Sequence, residues 1–516
     1  MNRLFGILYL DDKRTDIDKK GNKIKKFKSI IPIKSRITCN SRFYSLDASL
    51  DSSQPYKNDN EFLIKTKKSE MHRTYCIINL NDSSVNEYIL NDNLNEELFQ
   101  KMATCNWSLK INTFYSKNFI LPEINFNKIT YDADIISIDP ENCVDIDDAI
   151  SVIINDKIEL GIHIADPTSI IDLKSDLGKE LSNRIESIYL DKTNHMIPEN
   201  LGKYISLKKG ELKNAYSLII KFNTNDITQI EKLIKTKSYE YKFIKTNIIV
   251  KENMSYDNFE KNLNKKYYKD IYDIGYNICK ALQLGISEYD SHKMIEAYMI
   301  LCNHLASNHT FISRINKKKT SNIENIFKDN KINKIYNNCL QESAKYILND
   351  SEQIHEGIGL EYTHFTSPMR RYVDFLNHYI IYNNLKYEDI KEFIDLEKIN
   401  LVHKYYKKIY NIRNINNILD LHDYIKTQGT IIYIEFNKIK ILINDLLITV
   451  NIFNKKLLEH KIVNIINQND FEIEFEYKDK KINYKLGQII NIEIYKNKLE
   501  IIPFRFIIDS FTILDI

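Results

Sequence analysis

Four aspartates, Asp139, Asp145, Asp147 and Asp148, stand close together in the segment SIDPENCVDIDDAIS, with isoleucines before and after. Like charges so near one another repel, so the grouping is tolerated only where water screens the carboxylates or a cation neutralises them. One reading is a polar surface loop. A calcium loop is a second, but the glycine and terminal glutamate of an EF-hand are missing. The third is a magnesium site, because hard carboxylate oxygens suit magnesium better than zinc. Two such ions about 4 Å apart could clamp the attacking and departing oxygens of a phosphodiester displacement. Spacing favours the metal site and leaves the surface loop open, since acidic clusters also arise for structural reasons.

Strand ends can hold such ligands while keeping one side free for substrate. DIISID ahead of the cluster and AISVII behind it read as strands, with Asp139 following the first and the other three acids preceding the second. IELGIHIAD and YSLIIKFN continue the pattern, and IEKLIKTKSYEYKFI is expected to add more sheet. After Lys265 the period becomes helical: Met294, Ile295, Tyr298, Met299, Cys302 and Leu305 follow i, i+3, i+4 spacing. Tyr372–Asn384 and Tyr387–His422 read the same way, so the middle of the chain is α+β.

The flanks differ. Residues 1–126 hold short alternating segments between polar turns, which suggests small antiparallel barrels, followed by a helical patch, NEELFQKMATCNW. From about Asp423 to Arg505 five or so short strands suit a Greek-key barrel of the OB type. The runs NKKKTSNIENIFKDNKINK and HKYYKKIYNIRNINN are biased in composition; they read first as solvated surface and second as RNA contacts.

The 516 residues allow two to four domains, and 43% hydrophobic with 28% charged residues is ordinary for a globular protein. Lys plus Arg number 73 against 70 acids, so any nucleic-acid partner must be met by local basic patches. The N-terminal apolar run is too short for a signal peptide, and no stretch is long and charge-free enough for a bilayer. Seven scattered cysteines without a Cys-x-x-Cys pair match neither a zinc site nor a disulfide framework. A soluble, cytoplasmic protein is expected, and the abundance of Asn, Ile, Lys and Tyr suggests an AU-rich, viral-type genome.

Five segments together resemble the signatures of the RNB-domain exoribonucleases, the family of RNase II, RNase R and the exosome catalytic subunit. Asp139-Pro140 followed by Asp145-Ile146-Asp147-Asp148-Ala149 is similar to its Asp-Pro…Asp-x-Asp-Asp-Ala pattern. GIHIADPTSII, RIESIYLDKTNHMIPENL, MIEAYMILCN and GLEYTHFTSPMRRYVDFLNH resemble four further motifs in the same order. The resemblance implies a multidomain chain: a reduced cold-shock or OB-type region at 1–126, an α+β catalytic domain at 127–385, a closing helical segment at 386–422 and an OB-type RNA-binding barrel at 423–516.

It also implies 3′-to-5′ hydrolysis of single-stranded RNA to nucleoside 5′-monophosphates, with magnesium as cofactor and manganese able to replace it. Asp139, Asp145, Asp147 and Asp148 would hold the metal, with Asp147 also catalytic; Asp145 has the alternative of orienting a neighbour. Arg370 would grip a phosphate through two oxygens and offset transition-state charge. Arg371 would make a structural or backbone-phosphate contact. Tyr189 would stack on the 3′-terminal base, with a second stacking aromatic that no motif locates. Glu296 would meet ribose hydroxyls, and Ala297 stands where a second acid is common, a departure that bears on discrimination against DNA. Asn303 reads as structural. A monomer is expected, with membership of a larger RNA-decay complex open. The competing reading is a catalytically inactive RNA-binding adaptor of the same fold.

Overall fold

A computed structural model describes residues 126–403, apart from 127–128, 142, 190–192, 287–288, 318–343 and 349–353, together with strands lying within 3–89 and 424–509. The helical patch expected at 95–107, most of the two basic runs and the stretch 404–422 lie outside the described residues. The chain divides into two compact units, one of residues 1–112, 320–340 and 404–516, the other of residues 113–319 and 341–403.

The second unit is built on a closed five-stranded barrel: β1 (Ile135–Asp139), β2 (Asp148–Ile154), β3 (Ile158–Ala165), β4 (Leu212–Phe222) and β5 (Glu240–Ser255). Each strand pairs antiparallel with the next, and β5 closes on β1 in parallel. That parallel seam is forced, because the first and last of an odd number of up-and-down strands run the same way.

Alternation sorts the strand residues into two sets. Ile136, Ile138, Ile150, Val152, Leu160, Ile162, Leu218 and Ile220 form the outer face and join one hydrophobic core with helices. The lumen receives a polar group of residues among apolar ones such as Ile135 and Ile219. There His163 lies with Nε2 2.9 Å from Ser151 Oγ and Nδ1 2.7 Å from Ser217 Oγ, which in turn meets Thr246 Oγ1 at 2.6 Å. Burial lowers the pKa of His163 to about 3, so the ring is neutral. A Cβ on Gly161 would stand 2.6 Å from its Nε2, which explains the glycine.

Three helices matter to the site: α1 (Lys266–Ala281), α2 (Ser291–Ser307) and α3 (Tyr372–Asn383). Ile271, Ile274 and Ile278 of α1 are buried at helical spacing and pack toward the barrel. Gly275 lets α2 approach, since a Cβ there would come within 2.5 Å of Met294 Cγ. Asp290 caps α2 by accepting from the Lys293 amide at 2.8 Å.

Two expectations change. IEKLIK, read as sheet, forms a helix at Ile230–Lys235, and Ile230 and Ile234 are its buried pair at i, i+4. The C-terminal strands, expected as one five-stranded barrel, form a five-stranded sheet and a separate three-stranded sheet. The polar strand Lys480–Lys485 was the least visible of them in the sequence. The N-terminal strands described make one six-stranded sheet, in which Arg3–Tyr9 pairs antiparallel with Lys23–Ser29 and Thr74–Asn79. Among the described residues no helix is long and apolar enough to cross a membrane.

Candidate active site

Strands β1 and β2 pair only at Ile135 with Ser151 and Ile136 with Ile150, and then part around the acidic loop. Asp139 is the last residue of β1 and Asp148 the first of β2. The loop between them is pinned by its backbone. The Ile146 amide donates to Ser206 Oγ at 2.9 Å, and that hydroxyl donates to the Val144 carbonyl at 3.0 Å. The Leu207 amide reaches the Ile146 carbonyl at 3.1 Å, and the Ala165 amide the Asp147 carbonyl at 2.7 Å. With Ile146 buried as an anchor, the neighbouring carboxylates have little freedom to swing into solvent.

Asp147 is 5% exposed. Its Oδ1 accepts from the Met369 amide at 3.2 Å, and its Oδ2 lies 3.4 Å from Arg370 Nε. Burial raises its pKa to about 7 against the lowering effect of Arg370. Asp148 is pushed well up by burial and then by the charges of Asp139 and Asp147. Asp139 is raised to about 6 by burial, and its Oδ2 is buried without a hydrogen-bond partner. Three carboxylates at one place thus resist ionisation together, which is the electrostatic signature of a site short of positive charge.

Asp145 points elsewhere: its Oδ2 lies 2.8 Å from His195 Nδ1 and raises the pKa of that ring. Of the four acids expected to share a metal, three face one another and Asp145 serves a neighbour, the alternative open for it from the sequence. Among the described residues no three His, Cys, Asp or Glu side chains stand close enough to form a finished ion site. The donor set still fits magnesium in kind, because that ion takes one or two carboxylates and completes its shell with water and substrate phosphate. The orphaned Asp139 oxygen is the observation that fits best.

Arg370 comes from the other end of the unit. Its loop is held by Asn303 of α2, whose Oδ1 accepts from the Phe365 amide at 2.7 Å and whose Nδ2 donates to Tyr362 Oη at 2.9 Å. The buried Asp374 of α3 accepts from the Ser367 amide at 2.7 Å and from Arg371 Nε and Nη2 at 2.8 Å each. Arg371, a candidate RNA contact in the sequence, therefore closes its fork on Asp374 and braces the loop. Arg370 is left 45% exposed, with Nη2 3.0 Å from Ser367 Oγ.

These groups line a cleft of about 850 Å³ that also includes Tyr189, Glu296 and Tyr256. Tyr189 lies opposite Thr193 in a short hairpin and is 43% exposed. Glu296 is half-exposed, paired with Lys293 at 2.7 Å. Ala297 is fully buried in the core behind it, so an acid at that position would not face the cleft. Sequence reasoning missed several lining residues, among them Cys143, His195 and Tyr256. Cys143 sits inside the acidic loop and its thiol is pushed up to about 12 by burial and by Asp139. His195 lies in a segment read only as a motif. Tyr256, stacked on His292 with ring centroids 3.6 Å apart, carries no signal in a chain with 34 tyrosines.

The RNB domain model matches residues 128–284 and 273–387, which spans the barrel, the acidic loop and Arg370. The chain belongs to the RNB domain family. Ribonuclease R of Chlamydia pneumoniae is 25% identical over 338 residues, 53% of this chain and 50% of that protein. Virulence protein SSD1 of Candida albicans is 27% identical over 219 residues, 42% of this chain and 16% of that protein. The chain thus spans half or less of the length of these curated relatives. Among solved structures, Mycoplasma genitalium RNase R in complex with ribose methylated single-stranded RNA aligns at a TM-score of 0.62 and 17% identity, covering 98% of this chain and all of that one. Yeast Ssd1, described as a pseudonuclease, aligns at 0.59 and 14% identity, covering 92% and 68%. The fold of this chain is therefore similar both to that of RNase R and to that of a protein described as a pseudonuclease.

Proposed function

We propose that this RNB chain is a 3′-to-5′ exoribonuclease of the RNase II type, hydrolysing single-stranded RNA to nucleoside 5′-monophosphates with magnesium. One observation carries the reading: Arg370 and Asp147, more than two hundred residues apart in the chain, meet at 3.4 Å beside two further, half-buried carboxylates that resist ionisation. Asp139, Asp147 and Asp148 would hold the ion, which supplies charge neutralisation and an acidified water when bound. Arg370, half-exposed, would offer its guanidinium to phosphate oxygens and to the charge that develops on them. The Met369 amide keeps Asp147 from turning away from that position. Tyr189 and Tyr256 would stack on bases, a contact worth about 1–3 kcal/mol that does not depend on sequence. RNA binding by the sheets of the other unit, as OB-type modules, belongs to the same reading, as does action by a single chain.

The pseudonuclease relative gives the alternative, an RNA-binding adaptor, its specific support. The two part in one experiment. A labelled hairpin with a 3′ single-stranded tail is incubated with magnesium or with EDTA, and the products are resolved by size and end group. Stepwise shortening to 5′-monophosphates with magnesium alone is expected, and Asp147→Asn should abolish it while RNA binding persists. Binding without shortening under every divalent ion tested would make the adaptor the correct reading.

A further inference from the structure

Within the cleft, His195 has a place that the acidic loop explains only in part. It follows the strand Thr193–Asn194, which pairs with Ile188–Tyr189, and so stands on the same hairpin as Tyr189. Met196 behind it is tied down, its amide donating to Ser187 Oγ at 2.8 Å. The ion pair with Asp145 at 2.8 Å uses Nδ1, fixes the ring and leaves Nε2 for the cleft that the ring lines, where the side chain is 23% exposed.

What Nε2 meets follows from its surroundings. Asp145 and Glu199 line the cleft beside it, and Glu199 holds the exposed Lys203 at 2.7 Å. With two carboxylates against one lysine, the spot lacks the net positive charge that would draw a phosphate. A hydroxyl carries no charge and both donates and accepts, so it pairs with Nε2 whether the ring is neutral or protonated. The ribose 2′-hydroxyl is the group of that kind that separates RNA from DNA. Glu296, the acid expected from the sequence to meet ribose hydroxyls, is engaged with Lys293 at 2.7 Å, and Ala297 beside it is buried in the core.

We infer that His195, held in place by Asp145, hydrogen-bonds a ribose 2′-hydroxyl of the bound strand and sets part of the preference for RNA over DNA. Asp145 is then a positioning residue and not a metal ligand. The inference rests on RNA being what the cleft binds, and the test separates the two.

The full chain carrying Asp147→Asn is titrated in EDTA with a fluorescent RNA oligonucleotide and with versions bearing one 2′-deoxy nucleotide at each position near the 3′ end. One deoxy position should weaken binding about tenfold, the worth of a single hydrogen bond. Adding His195→Phe should weaken the all-ribose strand about tenfold and make that deoxy position neutral. His195→Gln, whose amide oxygen reaches the place of Nε2, should recover part of the loss, and thermal midpoints check that both variants fold. A deoxy scan that is flat, or that His195→Phe leaves unchanged, overturns the inference. A ribose-dependent scan in a protein whose wild type cuts no RNA leaves it standing and sinks the nuclease reading; absence of RNA binding sinks both.

Discussion

Asp147→Asn should make the protein more stable at pH 8 in the absence of divalent ions. Asp147 ionises near 7 in the fold against an ordinary value of 3.8, and at 1.36 kcal/mol per pH unit the difference is about 4 kcal/mol. Below pH 3.8 both folded and unfolded chains hold the proton, and the stabilisation is fully present. Between 3.8 and 7 the unfolded chain has released a proton that the fold still binds, so stability falls as pH rises through that window. Above it the buried charge stands unneutralised. Asparagine keeps an acceptor for the Met369 amide, and the attraction of the half-exposed Arg370 is already contained in the folded value near 7. The net gain is therefore about 4 kcal/mol at pH 8, shrinking toward zero at pH 4. For a unit of this size that is a rise of about 8–16 °C in the melting midpoint. The assay is a set of melts by circular dichroism in EDTA from pH 4 to 8, repeated with millimolar magnesium. Magnesium should lift the wild type at pH 8 toward the variant and leave the variant nearly unmoved, because an ion that binds only the fold stabilises it by mass action. Equal midpoints at pH 8, or a gap that widens toward pH 4, would refute the reasoning.

Arg370→Lys should lower kcat about a hundredfold with little change in the melting midpoint, because it keeps the charge and loses the two-pronged grip; single-turnover kinetics on RNA measures this. Arg371→Ala should instead cost roughly 3–5 kcal/mol of stability in urea melts, since it strands the buried Asp374 carboxylate. Ala297→Glu should destabilise by several kcal/mol without raising the RNA-to-DNA ratio, because the side chain would enter the core and not the cleft; a higher ratio in a well-folded variant would show that the position faces substrate. Tyr189→Ala should leave a longer undigested end product, read on a sequencing gel, through loss of about 1–3 kcal/mol of stacking.

The acidic loop, four of the five barrel strands and the three helices around the site were legible because each has a local pattern: alternation in DIISID and AISVII, helical spacing from Met294 to Leu305. IEKLIK misled because its apolar residues suit a short helix as well as an extension of the strand that follows. Closure of the barrel had no local sign, since it depends on β5 returning to β1 more than a hundred residues later. At the site, residue types were readable and partnerships were not. Asp145 looks like its neighbours in the sequence, yet it turns to His195. Arg370 and Arg371 are adjacent and identical in type, yet Asp374, three residues beyond Arg371, captures one and leaves the other to the cleft.

That division of labour shows how the fold keeps an unfavourable arrangement in place. Asp139, Asp147 and Asp148 would relax if their loop could open, but Ile146, Ser206 and the Ala165 amide fix its backbone from three sides. Arg370 could neutralise the cluster fully only by closing on it, and its distance of 3.4 Å from Asp147, together with its contact to Ser367, holds it short of that. A fully paired arginine would leave neither a free guanidinium for phosphate nor a deficit of charge for a cation. Incomplete pairing is therefore what the proposed phosphoryl-transfer site would need in its resting state. It also explains why the stabilising substitution at Asp147 is expected to be the one that ends catalysis.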